Sequence, residues 1–64
     1  MAQGSAHVRE QVLDGAFTSI ARLGMAKTTV EDIAKTSGVS RATIYRYFPG
    51  GREQLLSDTV AWEL

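Results

Sequence analysis

Apolar residues recur at helical spacing through most of the chain. Val8, Val12, Ala16, Ile20 and Leu23 repeat every three or four positions, and Leu13 and Phe17 widen that stripe into one face of a first helix. Gly24 follows the last apolar position, where a helix end wants a residue with positive φ. Gly15, inside the helix, costs about 1 kcal/mol against alanine, which calls for close approach of another helix. After the connection Met25–Thr28, Thr29 is placed to cap a second helix. Asp32 lies three residues on, in a capping-box arrangement with Asp in place of Glu, and Glu31 and Asp32 suit the positive end of the helix dipole. Val30, Ile33 and Ala34 are its inward positions, and Gly38 ends it. Ser40 caps a third helix, and Pro49 disfavours helical geometry at Phe48, so that helix runs from Arg41 to Tyr47. A helix of about two turns does not stand alone. Gly50-Gly51 is a turn, and from Arg52 a fourth helix carries Leu55, Leu56, Thr59 and Val60 in phase. No strand pattern, internal repeat or low-complexity tract interrupts these helices. The pattern predicts an all-α fold: a three-helix helix-turn-helix domain over residues 7–51, a flexible N-terminal arm over 1–6, and the start of a fourth helix over 52–64. That last helix has no stop signal, which predicts that the chain is part of something longer.

Composition narrows the possibilities. The chain has 64 residues, enough for one domain. It has no cysteine and a single histidine, His7, so a disulfide framework and a cysteine-based zinc site are excluded, and the core must come from helix packing. No cofactor is expected. No apolar run approaches the roughly 18 residues of a membrane span. The first residues lack a charged and then apolar leader pattern, so a soluble, cytoplasmic chain is expected.

The net charge is zero, but its distribution is uneven. Residues 1–32 carry three basic and four acidic side chains, residues 53–64 three acidic ones, and the stretch 33–52 carries Lys35, Arg41, Arg46 and Arg52 with no acid. A local positive field of this kind attracts phosphate even when the total charge cancels.

That basic stretch coincides with a short helix, a Gly turn and a capped short helix, the logic of a helix-turn-helix whose second helix lies in the major groove. Stepping about 100° per residue puts Ile44 and Phe48 of the third helix on one side, toward the core. Ala42, Thr43 and Arg46 fall opposite, Tyr45 and Tyr47 on the shoulders, and Arg41 at the tip. Arginine pairs two ways with guanine, threonine contacts base or phosphate, and alanine meets a thymine methyl. The phenols either bind phosphate oxygens or pack on the domain with their hydroxyls in water. Helix N-termini near Thr29, Ser40 and Gly51 offer backbone N–H groups to phosphate, or are ordinary caps.

Thr28-Thr29-Val30-Glu31-Asp32-Ile33-Ala34, Gly38-Val39-Ser40, Thr43-Ile44-Tyr45-Arg46-Tyr47-Phe48 and Arg52-Glu53-Gln54-Leu55-Leu56, together with Val12-Leu13-Asp14-Gly15-Ala16-Phe17 and Leu23-Gly24, resemble the tetracycline-repressor (TetR) family of bacterial transcription regulators. The resemblance covers about residues 8–62. It implies a DNA-binding head whose fourth helix leads into a larger helical domain, absent here, that binds a small-molecule effector and forms a homodimer, with the fragment alone a monomer. By position, the resemblance places base reading on Arg41, Ala42, Thr43 and Arg46, and on Val30, which has no hydrogen-bonding side chain. It places phosphate binding on Thr29, Tyr45, Tyr47 and Arg52. The family often has Lys-Glu soon after the Phe; here Pro49-Gly50-Gly51-Arg52-Glu53 is one residue longer, so Arg52 falls out of register with that lysine.

Two rival functions come from other residues. His7, Glu10 and Asp14 share a helix face, the usual beginning of a metal or acid–base site, but nothing else converges on them, and no enzyme is expected. Val60, Trp62 and Leu64 could form an apolar patch, making the chain a helical protein-interaction module.

Overall fold

The computed structural model describes residues 4–64. Four helices follow one another: α1 (Gly4–Leu23), α2 (Val30–Ser37), α3 (Arg41–Tyr47) and α4 (Gly51–Glu63), with a 3-10 turn over Met25–Lys27 between the first two. The second and third boundaries fall where their caps predict. The first helix starts earlier than expected. Gly4–Ala6 are helical rather than part of an arm, because each residue added to an existing helix gains a hydrogen bond without a new nucleation cost. Residues 1–3 of the expected arm lie outside the described residues. The fourth helix is assigned from Gly51, but that glycine has φ 73°, so right-handed helical geometry begins at Arg52.

α1 is the spine, packing against α2, α3 and α4. Val12, Leu13 and Ala16 of α1, Val30 and Ile33 of α2, Ile44 of α3, Phe48 just after it, and Leu55 of α4 form one buried cluster, with Val8, Ala34, Val39 and Tyr47 packed on its edge. Fully burying each large aliphatic or aromatic side chain contributes about 1.5–3 kcal/mol. Ile44 and Phe48 therefore hold the two-turn α3, which has no stability of its own.

The stripe of α1 is rotated from the sequence expectation. Ser19 is buried, and Phe17 and Leu23 are exposed. Phe17 lies about 40° beyond Leu13 around the helix, past the edge of the face that α2 and α4 cover. Ser19 is accommodated because its hydroxyl donates to Thr36 Oγ1 at 3.1 Å. Thr59, also buried, donates to the Leu55 carbonyl at 2.7 Å. At Gly15, α1 and α2 touch backbone to backbone. A Cβ there would lie 2.7 Å from Ser37 Cβ and 3.0 Å from Ser37 Cα and N. On the other side, the Arg9 guanidinium stands 5.4 Å from the Phe48 ring centroid and pairs with Asp58 of α4 at 3.4 Å.

Candidate nucleic-acid interface

α2, the turn Gly38–Ser40 and α3 form the helix-turn-helix. Gly38 sits in the left-handed region (φ 76°, ψ 13°), and its N–H bonds the Ala34 carbonyl at 2.9 Å, closing α2. The turn is fixed from two sides. Gln11 of α1 donates through Nε2 to the Ser37 carbonyl at 2.7 Å, and the Ser37 hydroxyl accepts from the Val39 N–H at 3.2 Å. Ser40 caps α3 by accepting from the Thr43 N–H at 3.2 Å, and its hydroxyl donates to Thr43 Oγ1 at 3.1 Å.

With Ile44 and Phe48 turned inward, Arg41, Ala42, Tyr45 and Arg46 are exposed and Thr43 is half-buried, so α3 presents together the four base-reading residues that the resemblance places on it. Among the described residues Arg46 makes no hydrogen bond or ion pair with protein. Arg41 lies 3.8 Å from the Glu31 carboxylate at the start of α2, an exposed and therefore weak pair. The sequence reading missed Glu31 as part of this face, since ten residues and a turn separate it from Arg41 and no local spacing signals the contact. Val30 is buried in the core cluster.

The implied phosphate ligands fall into different settings. Tyr45 is exposed, and its ring edge lies near Gly51, where a Cβ would come within 3.3 Å of Cε1. Tyr47 is half-buried against the core, so packing explains part of its presence. Thr29 is engaged by Asp32: its N–H and its hydroxyl both donate to Asp32 Oδ2 at 3.1 and 2.8 Å, while its Oγ1 accepts from the Asp32 N–H at 3.1 Å. The side-chain and backbone hydrogen bonds from Thr29, helped by the charges of Lys35 and Arg22, hold the Asp32 carboxyl below the ordinary carboxylate value. The N-terminus of α2 thus already carries an internal anion. At α4, Gln54 takes the Gly50 N–H at 2.7 Å.

Arg52 departs furthest from expectation. Its Nε donates to the Thr28 carbonyl at 2.7 Å and its Nη2 to the carbonyls of Met25 and Ala26 at 2.8 and 3.3 Å. The half-buried guanidinium thus leaves only Nη1 without a protein partner among the described residues. From the start of α4, Arg52 lies alongside the α1–α2 connection.

The rival residues do not assemble a site. His7, Glu10, Gln11, Asp14 and Trp62 border a shallow, open depression, but among the described residues no three His, Cys, Asp or Glu side chains gather closely enough to hold a metal ion. Val60, Trp62 and Leu64 are exposed at the end of α4. No described helix is long and apolar enough to cross a membrane.

Residues 12–59 match the profile of the family described as "Bacterial regulatory proteins, tetR family". Over 52 residues, 81% of this chain, it is 40% identical to an uncharacterized HTH-type transcriptional regulator of Mycobacterium tuberculosis, covering 27% of that protein. Over the same length it is 38% identical to the HTH-type transcriptional regulator BetI of Agrobacterium fabrum and 36% identical to LmrA of Bacillus subtilis, covering 25% and 28% of them. The chain spans about a quarter of the length of the curated relatives it matches. No solved structure matches it. The helix-turn-helix geometry and a family match over most of the sequence agree: this chain belongs to the tetR family of bacterial regulatory proteins.

Proposed function

We propose that the chain is the double-stranded-DNA-binding head of a transcriptional regulator, with α3 in the major groove. Arg41, Ala42, Thr43 and Arg46 face base edges, and Tyr45 and Tyr47 face the flanking phosphates. Arg52 is left out of the phosphate set because its Nε and Nη2 donors are held by backbone carbonyls, and Thr29 because its N–H and hydroxyl both donate to Asp32. The observation that carries the reading is the exposed, unpaired Arg46 beside Ala42 and Thr43 on a helix whose opposite side is anchored in the core. In this reading the rest of the protein binds a small effector and forms a homodimer, the protein acts as a repressor in the cytoplasm, and it is not an enzyme. A dimer would set two copies of α3 about 34 Å or somewhat more apart over a near-palindromic site.

One head reads half a site, so its affinity falls near the non-specific range, about 10⁻⁴–10⁻⁶ M. Titrating labelled duplex at two salt concentrations tests this. Binding at low salt that weakens steeply at higher salt is expected; no binding, or binding indifferent to salt, refutes it. Indifference would instead favour the second reading, an interaction module docking through Val60, Trp62 and Leu64, which rests on their exposure at 45%, 40% and 100%.

A further inference from the structure

Arg52 sits in the first regular turn of α4, where a cation opposes the helix dipole. Another interaction must favour it there, and the three carbonyls of Met25, Ala26 and Thr28 supply one. The segment they belong to has little regular structure of its own. Its internal turn bonds, Lys27 N–H to Gly24 and Thr28 N–H to Met25, are long at 3.2 and 3.4 Å. Gly24 has φ 88° and ψ 151°, outside any helical region, and Thr28 is extended. What fixes the segment is side chains: the buried Thr28 hydroxyl on the Gly24 carbonyl at 2.8 Å, and the Arg52 guanidinium. Thr29, the cap of α2, follows immediately.

We propose that Arg52 is a positioning residue: reaching from α4, its guanidinium holds the α1–α2 connection so that the start of α2 meets the DNA in a fixed place. The role rests on the DNA-binding reading above. It depends on the planar, forked donors of arginine, which span separated carbonyls; the compact ammonium of lysine carries the same charge without that fork. A phosphate ligand would show the opposite dependence, needing the charge and tolerating lysine.

The test uses a short mixed-sequence duplex and the variants Arg52→Lys and Arg52→Gln, with affinity measured across a salt series. Both variants are expected to bind severalfold more weakly than wild type with an unchanged salt slope. Arg52→Lys binding as tightly as wild type overturns the proposal. So does Arg52→Gln lowering the slope by about 0.9, the signature of one lost phosphate contact. A second measurement needs no variant to fold. In wild type, the Arg52 Nε–H resonance should exchange slowly with water and stay in place when duplex is added, while that of Arg46 moves. An Arg52 Nε–H that exchanges freely, or shifts with DNA as Arg46 does, overturns the assignment. A wild-type chain that ignores duplex at low salt refutes the DNA reading itself, and this role with it, a result distinct from equal binding by wild type and Arg52→Lys.

Discussion

Replacing Gly15 with alanine should destabilise the domain, against the rule that alanine strengthens a helix. In an isolated helix the change is favourable by about 1 kcal/mol. Here the added methyl carbon would lie 2.7 Å from Ser37 Cβ and 3.0 Å from Ser37 Cα and N. Relaxed carbon–carbon contacts fall at about 3.5–4.0 Å, so the overlap approaches 1 Å. Two of the three atoms are backbone and cannot rotate away. If α2 shifts instead, it stretches the Gln11–Ser37 and Ser19–Thr36 bonds, now 2.7 and 3.1 Å. Overpacking of this kind costs about 1–3 kcal/mol, and each hydrogen bond lost a further 0.5–1.5 kcal/mol. Set against the helix gain, a net loss of about 1–2 kcal/mol is expected, which for a domain this small lowers Tm by roughly 5–15 °C. Thermal unfolding by circular dichroism measures it, with Thr18→Ala, exposed on the same helix, as the control that takes the helix gain without the clash. A Gly15→Ala chain that melts at or above the wild-type temperature would refute the claim that the α1–α2 contact is closed to a side chain.

The remaining predictions address the interface and its supports. Arg46→Ala should flatten base preference across a set of duplexes and cost about 1–3 kcal/mol on the preferred one, measured by anisotropy; equal loss on all sequences would make Arg46 a backbone contact. Tyr47→Phe should weaken binding to all sequences alike if its phenol holds a phosphate, and leave it unchanged if Tyr47 only packs. Because Asp32 ionises more readily when folded, its contribution to stability is present above the ordinary carboxylate value and is lost as pH falls through its own lowered value. Asp32→Asn should therefore flatten that part of the acid limb in urea unfolding, and an identical acid limb in both chains would count against the capping account. The 64-residue chain should sediment as a monomer without DNA, and a tight dimer at low micromolar concentration would place the dimer interface within these residues.

Local chemistry was readable from the sequence. Thr29 with Asp32, Gly38 and Ser40 set their helix ends through neighbours within four residues, so the sequence contains both partners of each bond. The inward phase of Ile44 and Phe48 followed from the helical repeat, and it fixed which residues of α3 face out. Long-range partners left no such trace. Nothing near Arg52 signals the carbonyls of a connection 24 residues earlier, and nothing near Arg41 signals Glu31. The exposure of Phe17 depends on where α2 and α4 stop covering α1, a property of packing rather than of periodicity. How far Val30 and Tyr47 are buried likewise depends on their packing in this chain.

In the proposed reading, the seven-residue α3 keeps its attachment and its recognition on separate side chains. Ile44, with Phe48 just beyond, anchors it, while among the described residues the Ala42 and Arg46 side chains bond to nothing else in the domain and Arg41 makes only its exposed pair with Glu31. Exposed substitutions at such positions usually change stability by no more than about 0.5 kcal/mol. The reading face can therefore drift, or be rewritten by design, without a compensating change in the core. A library varied at those three positions should contain mostly folded members, so that a screen for new operators would sort binding rather than folding.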